Sequence, residues 1–296
     1  MPDPVGGWGV VKLPQYVEEA TYGTFPTNPA MQWIAPIASA DLKADMQSVM
    51  IPQLGIEDLK YIIKGAEQYT FDLEYPMQNS TFAKYGVNPQ GGGAGTIDKS
   101  LSLLFSAKLG GVVSGTENYV QVLGSRINSI TLSSQVGQQT NAKVNLFAKS
   151  IPVPSSASPL GSGSAATDPG TNPWMFYDGG TNPVTIGAVT PDVREISVSV
   201  NRNLERVYVL GSSQQKFQPP KQRRISGSFT IVWEDTNQYT NLTSDTGVTI
   251  TWVLKSATST LTLNNCKITR EDSFKFTPTE IVYEKYSFSA LTGSLS

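Results

Sequence analysis

Residues 193–201 read Val193-Arg194-Glu195-Ile196-Ser197-Val198-Ser199-Val200-Asn201. Apolar side chains fall at 196, 198 and 200 with serines between them, the period of a strand that buries one face. The same alternation runs through Phe229, Ile231 and Trp233, separated by Thr230 and Val232. It returns in Val248, Ile250, Trp252 and Leu254, separated by Thr249, Thr251 and Val253. β-Branched and aromatic residues dominate these runs, as a pleated, half-buried surface favours. Helical pattern is confined to two short segments, 79–85 and 235–242, each opening on an Asn or Asp suited to capping. The chain is predicted to be all-β.

The two helical segments expose a repeat. Thr70-Phe71-Asp72-Leu73-Glu74-Tyr75 precedes the first and Ser228-Phe229-Thr230-Ile231-Val232-Trp233 the second. Further on, the run 101–108 resembles 248–255, each ending in Lys, and 144–148 resembles 286–290. Three similar patterns in one order predict two tandem copies of a β-sandwich or barrel domain, each with one short helix. The expected division is an N-terminal arm at 1–36, a first domain at 37–151, a linker and hairpin insertion at 152–191, and a second domain at 192–296. Within the insertion, 154–172 has the Pro, Gly, Ser and Asn content of a linker that is mobile or draped over a surface. Trp174 to Tyr177, then Gly179-Gly180, then Val184 to Ile186 reads as a hairpin with a glycine turn.

Composition excludes most chemistry. The 296 residues contain no histidine and one cysteine, Cys266, so neither a Ser-His-Asp triad nor a Cys-rich zinc site can be built. The run 91–100 superficially resembles a phosphate-binding loop, yet Asp98 stands where the motif needs Gly before Lys99-Ser100. The acidic pairs Glu234-Asp235 and Glu271-Asp272 sit at predicted strand ends, where neighbouring carboxylates face water rather than a glycoside. No catalytic, metal or cofactor-binding residue is expected. Charged residues make up only 16%, against about 25% in an ordinary soluble protein, which suits a surface covered by other protein. A net charge of -2 argues against tight DNA binding, which needs clustered cations. Met1-Pro2-Asp3-Pro4 has no basic region leading into an apolar run, and no stretch nears the ~20 apolar residues of a membrane span. Neither a signal peptide nor a membrane partner is expected.

Two charge features stand out. Residues 214–224 hold Lys216, Lys221, Arg223 and Arg224 and no acid, while the matching loop of the first copy carries Glu57 and Asp58. The basic loop is expected either to dock on an acidic loop of a neighbouring copy or ring, or simply to face water. Asp72 and Glu74 share one face of a predicted strand. The segment before Pro36 has few regular signals but several aromatics, Trp8, Tyr16, Tyr22, Phe25 and Trp33. Such an arm docks on a neighbour or packs on its own domain.

Val17-Glu18-Glu19-Ala20-Thr21-Tyr22-Gly23-Thr24 resembles the opening of tailed-phage tail tube proteins, in which a Glu-x-x-Tyr-Gly-Thr phrase sits near the start. The close, with Ser287-Phe288-Ser289-Ala290, is similar to their last strand. The resemblance implies a tail tube subunit of a siphovirus-like phage or an archaeal virus, assembled in the host cytoplasm and carried in the virion tail. It implies that inner sheets join into a ring-shaped β-barrel and that rings stack into a conduit for DNA, with Asp72 and Glu74 as candidates for its lining. Implied partners are other copies of the chain, a tape measure protein, a tail terminator and a distal tail protein, with DNA passing unbound. A duplicated chain favours trimeric, pseudo-hexameric rings over hexamers. The alternatives are a distal tail or baseplate ring protein of the same fold, and a carbohydrate-binding adhesive module presenting Trp174, Phe176 and Tyr177.

Overall fold

In the computed structural model, which describes residues 9–52, 59–89, 99–108, 117–232, 247–256, 258–271 and 283–296, the alternating segments form strands. The first half supplies β1 (Gly9–Glu18), β2 (Gln32–Trp33), β3 (Ser39–Pro52), β4 (Leu59–Pro76), helix α1 (Thr81–Val87), β5 (Leu101–Lys108), β6 (Glu117–Gln135) and β7 (Asn141–Ala148). The second half supplies β8 (Val184–Ile186), β9 (Val193–Asn201), β10 (Arg224–Val232), β11 (Val248–Lys255), β12 (Ser259–Arg270), β13 (Tyr283–Ala290) and β14 (Thr292–Leu295).

Eight strands form one antiparallel central sheet in the order β3-β4-β7-β6-β9-β10-β13-β12. The order of the first four recurs in the last four, with β9 standing where β3 does and β12 where β6 does. The N-terminal parts of β6 and β12 leave the central sheet and join smaller ones, β2-β1-β5-β6 and β8-β11-β12-β14. Both long strands bend at corresponding places. Val122 faces Leu103 and Leu263 faces Ile250, and two residues later stand Gly124 (φ 64°) and Asn265 (φ 52°). Gly and Asn are the residues that enter this left-handed conformation most readily. At Gly124 space forbids a side chain as well, because a Cβ would lie 2.6 Å from Lys149 Cβ.

The smaller sheets cover one face of the central sheet, and a single core runs through both halves. It includes Phe71, Leu73 and Tyr75 of β4, Ile196, Val198 and Val200 of β9, and Phe229 and Ile231 of β10. Tyr16 of β1 packs on Phe82 of α1 at 5.0 Å between ring centres, and Phe229 stacks on Tyr286 at 5.4 Å. The opposite face of the central sheet is open and polar. Facing pairs there include Thr131 with Ser199, Ser133 with Ser197, and Ser228 with Ser287.

Some expectations differ in detail. Helix α1 begins two residues later than predicted, with Asn79 Oδ1 accepting the Thr81 amide at 3.1 Å. The second predicted helix, 235–242, and the loop at 91–98 lie outside the described residues. The N-terminal segment is less irregular than its sequence suggests, since β1 pairs with β5 from Gly9 to Glu18. The linker is draped rather than loose: Met31 N–H donates to Ser164 O at 3.0 Å, Ala166 N–H to Gln15 Oε1 at 2.8 Å, and Gln78 Nε2 to Thr171 O at 2.5 Å. The predicted hairpin between 174–177 and 184–186 does not form. Trp174 instead donates to Met77 O at 2.6 Å and accepts from Thr140 N–H at 2.7 Å, while β8 adds to the edge of β11. The backbone at 174–176 pairs with Met77 and residues 138–140 and that at 184–186 with β11, with a turn at 176–179 between them.

Candidate assembly surfaces

The phrase that opens on Glu19 is a structural knot. The buried Glu19 carboxylate accepts from Gly23 N–H at 2.8 Å, Ser100 Oγ at 2.6 Å, Ser102 Oγ at 2.6 Å and Gly124 N–H at 2.7 Å. Gly23 is left-handed at φ 71°, and a Cβ on it would meet Lys149 Cδ at 2.3 Å. The Tyr22 ring lies 5.3 Å from Lys149 Nζ, and burial raises its phenol pKa. Each residue of Glu-x-x-Tyr-Gly thus has a packing reason, and Tyr22 is engaged within its own chain. Phe25 is half-buried on the adjoining loop, and Trp8 lies outside the described residues.

The connection between β9 and β10, residues 202–223, packs on the first half. It lies across the middle of β4 and the ends of β7 and α1. The guanidinium of Arg206 stacks 3.8 Å over the Phe147 ring and donates to Gln68 Oε1 at 2.9 Å and Thr70 Oγ1 at 2.8 Å. The Tyr208 hydroxyl donates to Glu67 O at 2.9 Å, and Ser213 Oγ to the Glu67 carboxylate at 3.1 Å. Glu67 also pairs with Lys64, and that bond first, with Tyr69 second, holds its carboxyl below the usual range.

Two arginines finish helix α1. Arg202, 2% exposed, donates to Gly86 O at 2.9 Å and to Asn88 O, and Arg223 donates to Val87 O at 2.5 Å. These carbonyls at the helix end lack intrahelical partners, and a cation there also faces the negative end of the helix. Of the four cations in the basic loop 214–224, Arg223 thus reaches a carbonyl oxygen of its own chain rather than an acidic loop. Lys221 pairs with Glu205 of its own loop at 3.0 Å, whereas Lys216 and Arg224 extend into solvent. Glu57 and Asp58, the expected acidic partners, lie outside the described residues. Arg202 and Arg206 were missed because a carbonyl acceptor leaves no mark in sequence.

Asp72 and Glu74 lie on the open polar face of the central sheet. Lys43 Nζ is 3.2 Å from Asp72, Asn145 Nδ2 donates to it at 2.6 Å, and Lys143 sits 3.2 Å from Glu74. Charges on this face are mutually neutralised. The aromatic platform required of an adhesive module is not assembled, since Trp174 is buried, Phe176 half-buried and Tyr177 exposed.

One further surface was not foreseen. Beyond Tyr69, where β7 ends, β3 and β4 continue as a two-stranded ribbon. Val49, Ile51, Tyr61 and Ile63 lie on one face of the ribbon and Met50 and Ile62 on the other, all exposed. The alternation that marks a half-buried strand is missing in this stretch, and an apolar run alone does not say whether it is core or contact.

No curated protein sequence matches the chain. The family model described as phage tail tube protein matches it over residues 15–290.

Proposed function

Because the chain belongs to the phage tail tube protein family, we propose that it polymerises into rings that stack as the hollow conduit for viral DNA. The supporting observation is the joint between β6 and β9. There the last strand of one four-strand group pairs with the first strand of the next, Ser129 facing Asn201 through to Gln135 facing Glu195. The ends of the sheet carry the same two kinds of strand, β3 and β12. Among the described residues, β3 and positions 267–270 of β12 are each paired on one side only. Unpaired edges of this length invite further pairing. Repeating the internal joint between chains makes a head-to-tail contact, which a fixed rotation closes into a ring.

In this reading two tandem domains, 37–151 and 192–296, act as successive staves, joined through 152–191. Strand count argues for three chains. Strands spaced about 4.8 Å apart give a barrel roughly 25–30 Å across for two chains of eight and roughly 40–45 Å for three. Only the wider barrel accommodates a DNA duplex once side chains fill part of the bore. The lumen is the serine- and threonine-lined face carrying Asp72 and Glu74, whose paired charges would let phosphates pass without holding them. Lys216, Arg224 and Phe25 remain candidates for contacts between subunits. The tape measure, terminator and distal tail proteins are the expected partners, and the virion tail the expected location, after assembly in the host cytoplasm.

Negative-stain electron microscopy with native mass measurement tests this reading. Hollow tubes, or rings of three 31.9 kDa chains, are expected. A chain that stays monomeric at high concentration would overturn it.

A further inference from the structure

The insertion between the halves carries one phrase twice, Asp168-Pro169-Gly170-Thr171-Asn172-Pro173 and Asp178-Gly179-Gly180-Thr181-Asn182-Pro183, with Trp174 to Tyr177 between them. Residues 170–178 of this doubled segment, the start of α1, the β6–β7 turn and the β11–β12 turn wall a cleft of about 960 Å³. That volume lies at the upper end of the ~300–1,000 Å³ of small-ligand sites. The β6–β9 pairing already joins the two halves, so neither the doubled phrase nor the cleft is needed for that purpose.

The walls are tied to both halves. The Trp174 backbone N–H donates to Met77 O at 2.6 Å, Gln78 Nε2 to Thr171 O at 2.5 Å, and Ser256 N–H to Asp178 O at 2.9 Å. A site fixed in this way pays little to order itself around a ligand. Among the lining residues Lys255 is the one cation, and it already faces Asp178 at 2.9 Å. The cleft therefore has no free charge for a phosphate or a carboxylate.

What it does present is a set of amides and hydroxyls. Gln139, Asn172, Thr81 and Thr258 are exposed there, and among the described residues the two amides have no hydrogen-bond partner. Side-chain amides and hydroxyls both donate and accept, as sugar hydroxyls do. Each Asp178 carboxylate oxygen takes one donor, Lys255 Nζ on Oδ1 and the Met175 amide on Oδ2 at 2.8 Å, and keeps a lone pair for another. Trp174 is 6% exposed and lines the cleft, with its indole N–H unpartnered among the described residues. Tyr177 is 61% exposed, its ring held edge-on against Phe176 at 5.2 Å. A tyrosine is apolar on its face and polar at its tip, and such a face matches the C–H side of a pyranose.

We propose that this cleft binds a short neutral oligosaccharide through Gln139, Asn172, Asp178 and Tyr177. It is not a flat adhesive platform, because Trp174 is part of a wall and of the three aromatics only Tyr177 is exposed. Every wall belongs to one chain, so the site does not depend on ring closure and can fail independently of the tube reading. The walls from α1 and the β11–β12 turn belong to the covered side of the central sheet. A sugar bound there lies away from the open polar face that lines the bore in the proposed tube.

The test screens the full chain on an array of neutral oligosaccharides of glucose, galactose, mannose and N-acetylglucosamine. Affinity electrophoresis through gels containing the corresponding polysaccharides runs beside it. Retention by polymer and fragments alike identifies a cell-surface glycan as the ligand, and retention by fragments alone a free sugar. On the strongest array ligand, Tyr177→Ala should weaken binding about tenfold and Asn172→Ala about threefold or more. Tyr177→Phe, which keeps the ring, and Tyr61→Ala, on the distant β3–β4 ribbon, should bind as the parent does. All three side chains are exposed, and unchanged thermal melts will separate lost binding from lost folding. Three results would each overturn the proposal: no array ligand and no retardation in any gel, binding indifferent to Tyr177→Ala, or binding lost once tubes form because a neighbouring copy fills the cleft.

Discussion

Glu19 shows how much one side chain can organise. Its carboxylate gathers four donors from three separate segments, so Glu19→Ala strands two buried hydroxyls and two amides. A loss of more than about 3 kcal/mol is expected, read as a lowered denaturation midpoint. Arg223 needs the same inspection before it is used as a probe of assembly. Reversing Arg224 to Glu alters only the exposed surface, whereas Arg223→Glu also abandons Val87 O and should lower the subunit's own stability. Denaturant melts of the two single variants will separate these effects. Cys266 is buried, and burial pushes its thiol up to about 11. Ellman's reagent at neutral pH should therefore find it only after unfolding. Glu67 ties the base of the β3–β4 ribbon to the 202–223 loop, and its pKa is depressed in the folded chain. Its contribution is complete above the ordinary carboxylate range and lost as pH falls through the depressed value. Limited proteolysis of the 202–223 loop should accordingly accelerate below about pH 4 and not between pH 6 and 8.

At the scale of elements, Gly124 and Asn265 mark the bends that let one strand serve two sheets. Gly124→Ala forces a side chain against Lys149 in a left-handed backbone and should destabilise by about 2 kcal/mol or more. Asn265→Gly keeps the bend and should be nearly neutral, and thermal melts of the pair check both. The strands themselves were legible because period-two patterning is a direct imprint of burying one face, as in Ile196, Val198 and Val200. Helix α1 was legible through Asn79. The 174–186 segment was misread because glycines signal a turn without saying what it joins, and its backbone partners are Met77, residues 138–140 and β11. The β3–β4 ribbon escaped notice for the converse reason: apolar residues at 49–51 and 61–63 look the same whether they face a core or another molecule. The Glu-x-x-Tyr-Gly phrase carried family likeness, while its cause, a carboxylate beneath two left-handed glycines, required coordinates.

For the whole molecule, the open polar face of the central sheet is the lining of the bore in the proposed tube, and it can be tested as such. Asp72→Lys with Glu74→Lys should leave ring and tube formation intact while making the bore cationic, and slower DNA ejection at low salt, relieved by added salt, is the expected readout. The closure of the core sets a further constraint. Leu295 N–H donates to Asn88 Oδ1 at 2.7 Å and Asn88 Nδ2 to Leu295 O at 3.2 Å, so the helix of the first half is locked by a strand 207 residues downstream. Such distant pairings form late and slowly. On the ribosome, β3 is synthesised long before β12, its complement in the proposed ring, and the lock on α1 arrives later still. If the ring is built as proposed, a nascent chain offers one half of its contact without the other, and translation order itself would keep subunits apart until each is complete.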